Sequence, residues 1–90
     1  MVEQNDYKEL MTEIIKKQKA VLGPDIAVAR AQRIPGLKVD AEGRVLGISG
    51  EEQEVLQKLV DQYIELSGQI VKNVLDPVFK KYPSIKIDIK

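Results

Sequence analysis

Three arginines are the residues best placed to do chemistry in this chain. Arg30 and Arg33 lie on the stretch GPDIAVARAQRIPG, Gly23 to Gly36, and Arg44 follows the turn sequence DAEG. A DNA-reading or phosphate-binding helix would use such a pair. The alternative is surface pairing with the abundant glutamates, which contributes less than about 1 kcal/mol, or recognition of a protein partner, where arginine is enriched. A helix starting at Gly23-Pro24 could in principle hold an anion on its free amides. Pro24 removes one donor, however, and Asp25 repels a negative charge. Acid–base catalysis would need paired carboxylates in a pocket. Glu51, Glu52 and Glu54 cluster, but at the start of a helix, where the backbone dipole favours them in any case. Asp40 and Glu42 read as turn residues. The chain has no histidine, cysteine or tryptophan, so the usual ligands for zinc, copper, haem and iron–sulfur clusters are missing. No catalytic residue, cofactor or metal is expected, and the chain reads as a non-enzyme.

The elements that would position these residues follow from spacing. Tyr7, Leu10, Met11, Ile14, Ile15, Val21 and Leu22 recur at steps of three and four, predicting a first helix over 5–22. Lys8, Glu9, Lys16, Lys17 and Lys19 fall largely on its other side. Gly23 suits a helix stop and Pro24 the first position of a new one. A short connecting helix over 24–33 follows and ends before Pro35. Its alanines permit close packing on longer helices. Residues 37–48 predict a β-hairpin, with Gly43 where the loop wants a positive φ. SGEE at 49–52 has the form of a capping box, Ser49 capping and Glu52 reaching back. It opens a long helix over 50–75, which Pro77 should break or kink. The tail 83–90 alternates apolar and polar residues, as an exposed strand or a disordered end would.

The long helix carries two adjoining apolar seams. Leu56, Leu59, Tyr63, Leu66 and Ile70 form one; Val60, Ile64, Val71, Val74 and Val78 form the other. Two seams predict burial against two bodies. Length agrees: about 26 residues at 1.5 Å each is roughly 39 Å, against a radius of gyration of about 12 Å for a compact chain of this size. An overhang lined with apolar residues marks an interface. The expectation is therefore a two-fold homodimer whose first and last helices form a four-helix bundle. Leu59, Tyr63, Leu66, Gly68, Ile70, Val71, Val74 and Leu75 are the expected interface, with Gly68 permitting a close helix crossing. Arg30, Arg33 and Arg44 are the candidate contacts to another partner.

The predicted fold is a single α+β domain over 1–90, mainly helical, ordered α-α-β-β-α. Two long helices pack antiparallel, with a short helix and a hairpin between them. Ninety residues bury only about 60–65% of their unfolded surface, and without cysteine no disulfide adds to the core. Association is the common remedy. Fourteen basic residues balance fourteen acidic ones, and a pI near 6.3 gives no global pull toward nucleic acid or anionic lipid. A polar, acidic start and short apolar runs predict neither a targeting peptide nor a membrane span, which makes the cytoplasm the default location.

The leading expectation is a non-catalytic dimerisation or protein-interaction module, such as a small regulator or adaptor. One alternative rests on the element order, which resembles a winged helix-turn-helix DNA-binding regulator with 24–33 as reader and the hairpin as wing. It has one helix too few, a mostly apolar reader and an acidic wing tip. The other alternative is a small-ligand-binding or enzymatic domain, which would need a pocket between the short helix and the hairpin.

Overall fold

The computed structural model describes residues 4–83 and Ile85, without the side chains of Ser67, Gln69, Ile70, Val71, Lys72 and Val74. Six elements follow one another: α1 (Gln4–Leu22), α2 (Pro24–Gln32), β1 (Leu37–Val39), β2 (Val45–Ile48), α3 (Glu52–Ser67) and α4 (Gln69–Lys80). The expected α-α-β-β-α order is thus present, with one further helix. Residues 84 and 86–90 of the tail predicted as strand or disordered end lie outside the described residues, as do residues 1–3.

α1 is the central helix and packs on α2, β2, α3 and α4. Leu10, Met11, Ile14, Ile15 and Gln18 form its buried face, at the three- and four-residue steps that place side chains on one side. α2 starts on Pro24 and turns Ala27, Val28 and Ala31 inward; the two small alanines let its backbone approach its neighbours.

β1 and β2 pair antiparallel, Leu37 opposite Ile48 and Lys38 opposite Gly47, with a register shift before Val39–Val45. Two strands alone are marginal in water, and α1 supports this pair. The Thr12 hydroxyl accepts the Val45 N–H at 3.0 Å. Gly43 has φ +94°, and a Cβ there would stand 2.8 Å from Ile15 Cγ2 and 3.3 Å from Val28 Cγ2. It is glycine both for its backbone angle and because the turn presses against α1 and α2.

The structure corrects the sequence-based expectation in four places. The long helix predicted over 50–75 is two helices, broken at Gly68, whose φ of 58° and ψ of −125° end α3 and begin α4. That conformation is open to glycine and costly for other residues. A Cβ at Gly68 would meet nothing within 4 Å, so no close helix crossing within the chain accounts for this glycine. α4 folds back onto both α1 and α3, and the longest dimension is 33 Å. A continuous rod of roughly 39 Å, on which the expected dimeric four-helix bundle depends, therefore does not form.

Pro77, expected to break or kink the helix, does not break it: it lies inside α4, which runs on to Lys80. Pro77 is exposed, while Leu75 and Val78 beside it are buried in the core. Burying each is worth about 1.5–3 kcal/mol, enough together to offset the roughly 3 kcal/mol cost of an interior proline.

The capping box does not form either. Gly50 turns the chain at φ +89°, Glu51 is the N-cap residue of α3, and no side chain caps its first amides. Ser49 instead donates its backbone N–H to the Gly36 carbonyl at 2.6 Å, and Glu52 accepts from Gln4 Nε2 of α1 at 3.4 Å.

Finally, α1 and α3 are not an antiparallel pair. Gln4 meets Glu52 and the Tyr7 hydroxyl meets Gln53 Oε1 at 3.2 Å, so their first turns lie side by side. An antiparallel lengthwise pair would set the first turn of one against the last turn of the other.

Candidate functional site

Two ridges of α1 line an open groove. Lys8, Thr12 and Lys16 are four residues apart and share one ridge; Glu9 and Glu13 share the next. The first ridge faces the hairpin, because Thr12 accepts the Val45 N–H while donating its own hydrogen to the Lys8 carbonyl at 2.7 Å. The second faces the end of α4, because the Lys81 ammonium sits 2.6 Å from Glu13 Oε1. Arg44, Val45, Leu46 and Tyr82 complete the walls around about 580 Å³. A second depression of about 350 Å³ continues past Thr12, Lys16 and Arg44 to Lys19, Glu42 and Gly43.

The charges in this groove are unevenly satisfied. Glu13 is held by Lys81, which raises the Lys81 pKa, first through their hydrogen bond and then through its charge. Lys19 donates to the Glu42 carbonyl at 2.9 Å. Among the described residues Lys8 and Lys16 have no hydrogen-bonded or ion-paired side chain, and Arg44 forms no close ion pair, though its charge acts on the Asp40 carboxylate. The Tyr82 phenol is pushed up by burial and by the neighbouring Glu9 and Glu13 carboxylates. The groove thus has a basic wall toward the hairpin and an acidic wall, half neutralised, toward α4.

The other displaced groups have structural causes. Asp40 Oδ1 accepts the N–H groups of Arg44 and Glu42, each at 2.9 Å, and these bonds, the Arg44 one foremost, hold its carboxyl below the usual range. This is an Asx-type turn that closes the hairpin. Burial pushes the Tyr63 phenol up, and its hydroxyl donates to the Ala27 carbonyl at 2.7 Å.

That Tyr63–Ala27 bond also defines a second surface. It brings the C-terminal half of α3 to the first turn of α2. Val21, Ile26, Leu46 and Leu66 are the large apolar side chains most exposed among the described residues. Two of them, Ile26 and Leu66, belong to these adjoining segments, and Val21 lies in the last turn of α1, just before α2.

The residues expected at a dimer interface are dispersed between core and surface. Leu59, Tyr63 and Leu75 are fully buried inside the chain's own core. Leu66 is 37% exposed, and Gly68 is exposed. Ile70, Val71 and Val74 have side chains outside the described set. Of the three arginines, Arg44 reaches the groove, Arg33 is exposed on the residue after α2, and Arg30 is half-buried on α2. Neither depression takes in Arg30 or Arg33. Lys8, Thr12, Lys16, Leu46 and Tyr82 were not singled out from the sequence. The four-residue spacing of Lys8, Thr12 and Lys16 was the available signal, yet it is the same spacing that any solvated helix face shows.

Among the described residues no helix is long and apolar enough to cross a membrane. No protein-family model, no curated protein and no solved structure matches this chain.

Proposed function

We propose that the chain is a non-catalytic interaction module that self-associates through the corner formed by Val21, Ile26 and Leu66. The observation that carries this reading is the exposure of those three apolar side chains, two of them, Ile26 and Leu66, on segments that the Tyr63–Ala27 bond brings together. The reading also draws support from three of the four groups with displaced protonation, since Asp40, Tyr63 and Lys81 are explained by a turn, by the core and by the ion pair with Glu13; the fourth, Tyr82, stands in the groove. Both depressions are open and lie on the surface of α1.

This self-association differs from a lengthwise four-helix bundle. It pairs the corner of one protomer with the same corner of another, as two-fold symmetry requires. Ile26 is 50% exposed and Leu66 37%, so covering what remains of each contributes roughly 1 kcal/mol. A small contact of that kind gives a dimer whose population depends on concentration. We place this module in the cytoplasm, a setting that a chain without cysteine tolerates.

Light scattering across a concentration series tests the reading. The mass should climb from the 10.1 kDa of one chain toward twice that value. The double variant Ile26→Glu, Leu66→Glu should hold the single-chain mass throughout. A wild-type chain that stays monomeric at millimolar concentration, or a double variant that still dimerises, overturns it.

A further inference from the structure

We propose that the groove between α1 and the hairpin binds an extended acidic segment of a partner protein, with two carboxylates four residues apart and an apolar residue midway. The inference rests on the reading of the chain as an interaction module, but not on its self-association, which uses other residues.

The spacing of the unpaired cations sets the class of ligand. Lys8 and Lys16 are separated by eight residues of helix, a rise of about 12 Å. Arg44 stands at the Lys16 end, since both line the two depressions. One phosphate group, a few ångströms across, cannot touch both ends. An extended peptide advances about 3.4 Å per residue and points alternate side chains the same way. Residues i and i+4 are therefore about 14 Å apart on one face, close to the separation of the two cationic ends, and residue i+2 falls between them.

The middle of the groove offers what residue i+2 needs. The bond from Val45 to Thr12 places β2 level with the midpoint between Lys8 and Lys16. Leu46, the next residue, is 48% exposed and lines the groove there. An apolar side chain laid on Leu46, flanked by carboxylates at both ends, satisfies the wall as built.

The opposite wall sets the ligand's position. Glu13 is already engaged by Lys81, and Glu9 is exposed beside Tyr82. Glu9 repels an acidic ligand toward the hairpin side, where Lys16 and Arg44 stand. Three cations that form no close ion pair, one apolar residue between them and a like charge opposite make charge complementarity the source of selectivity here, as at other interfaces.

The test is a titration of the ¹⁵N-labelled full chain with the synthetic peptide Ser-Glu-Ser-Leu-Ser-Glu-Ser. Amide shifts should concentrate at Thr12, Val45 and Leu46. Two contacts of the strength of exposed ion pairs predict about a tenfold weaker affinity for Lys16→Gln, Arg44→Gln, and a similar loss when both glutamates of the peptide are replaced by glutamine. Thermal melts check that the variant is folded, and Lys8→Gln alone, at the other end of the groove, should give a severalfold loss if the double variant is not. The same titration on Ile26→Glu, Leu66→Glu separates the two readings, because peptide binding should persist there. No shifts in the groove at millimolar peptide, equal binding of the glutamine peptide, or inorganic phosphate or duplex DNA matching the acidic peptide would each overturn the proposal.

Discussion

Replacing Gln18 with methionine should stabilise the chain by about 1–3 kcal/mol. Gln18 lies on α1 in line with Met11, Ile14 and Ile15 and has no accessible surface. Both its side-chain nitrogen and its side-chain oxygen are buried without a hydrogen-bond partner among the described residues. An amide moved from water into such a site loses its solvation and recovers nothing, a cost of roughly 1–3 kcal/mol. Methionine has nearly the same length, one more apolar group and a similar helix propensity, and its flexibility lets it fill the same space. Volume is conserved, so no cavity term enters. For a domain of this size each kcal/mol shifts the thermal midpoint by about 4–8 °C, which predicts a rise of roughly 5–20 °C. Urea unfolding followed by far-UV circular dichroism reads the change directly, with the slope against urea expected to stay constant. A midpoint that is unchanged or lower would refute the reasoning. It would show that the Gln18 amide is satisfied, by an internal water or by a conformation in which it finds the backbone.

Three further perturbations follow from the same structure. Tyr63→Phe removes the 2.7 Å bond to the Ala27 carbonyl and should cost about 1–2 kcal/mol in urea unfolding, with little change in the packed ring. Gly68→Ala meets no steric neighbour but forces alanine into φ 58°, ψ −125°, so about 1–3 kcal/mol of backbone strain should appear; a neutral result would mean that the break between α3 and α4 is not held at this residue. The Asp40 carboxyl is held below its ordinary range by the turn amides, chiefly that of Arg44. Its stabilising contribution is therefore present above about pH 4 and is lost as pH falls through its lowered folded value. Asp40→Ala should remove that acid sensitivity from the hairpin, which amide exchange of Gly43 and Arg44 can follow.

Much of the chain was legible because its signals are local. The three- and four-residue steps of Leu10, Met11, Ile14 and Ile15 state both a helix and its buried face. Pro24 and Pro35 bracket α2, and Gly43 marks the hairpin loop. The break at Gly68 was not legible, since apolar residues keep helical spacing on both sides of it and a glycine costs only about 1 kcal/mol in an unbroken helix. Whether the chain bends there depends on where Leu75 and Val78 find a core, and that core includes α1, more than 50 residues earlier in the chain. Pro77 misled for the same reason: buried neighbours decided its place. The SGEE signal failed through Gly50, whose positive φ separates Ser49 from the helix that it would cap. The groove was the least legible feature. Lys8, Thr12 and Lys16 become a wall only once the hairpin docks on them through Val45, and that docking is a long-range event with no mark in the local pattern.

These failures share a consequence for function. A two-seamed, unbroken helix argued for a dimer along its length. Part of that surface is covered within one chain, since Leu59, Tyr63 and Leu75 are buried internally. Among the described residues, what is left for a partner is the exposed Val21, Ile26 and Leu66 and a charged groove along α1.

The most direct measurement is a mixed sample, half ¹³C-labelled on methyl groups and half unlabelled, in which only contacts between protomers give filtered nuclear Overhauser effects. Association through Val21, Ile26 and Leu66 should give cross-peaks linking their methyls across protomers, and none from the buried Leu59 or Leu75. Cross-peaks from Leu59 or Leu75, or none at a concentration where the mass is dimeric, would contradict it.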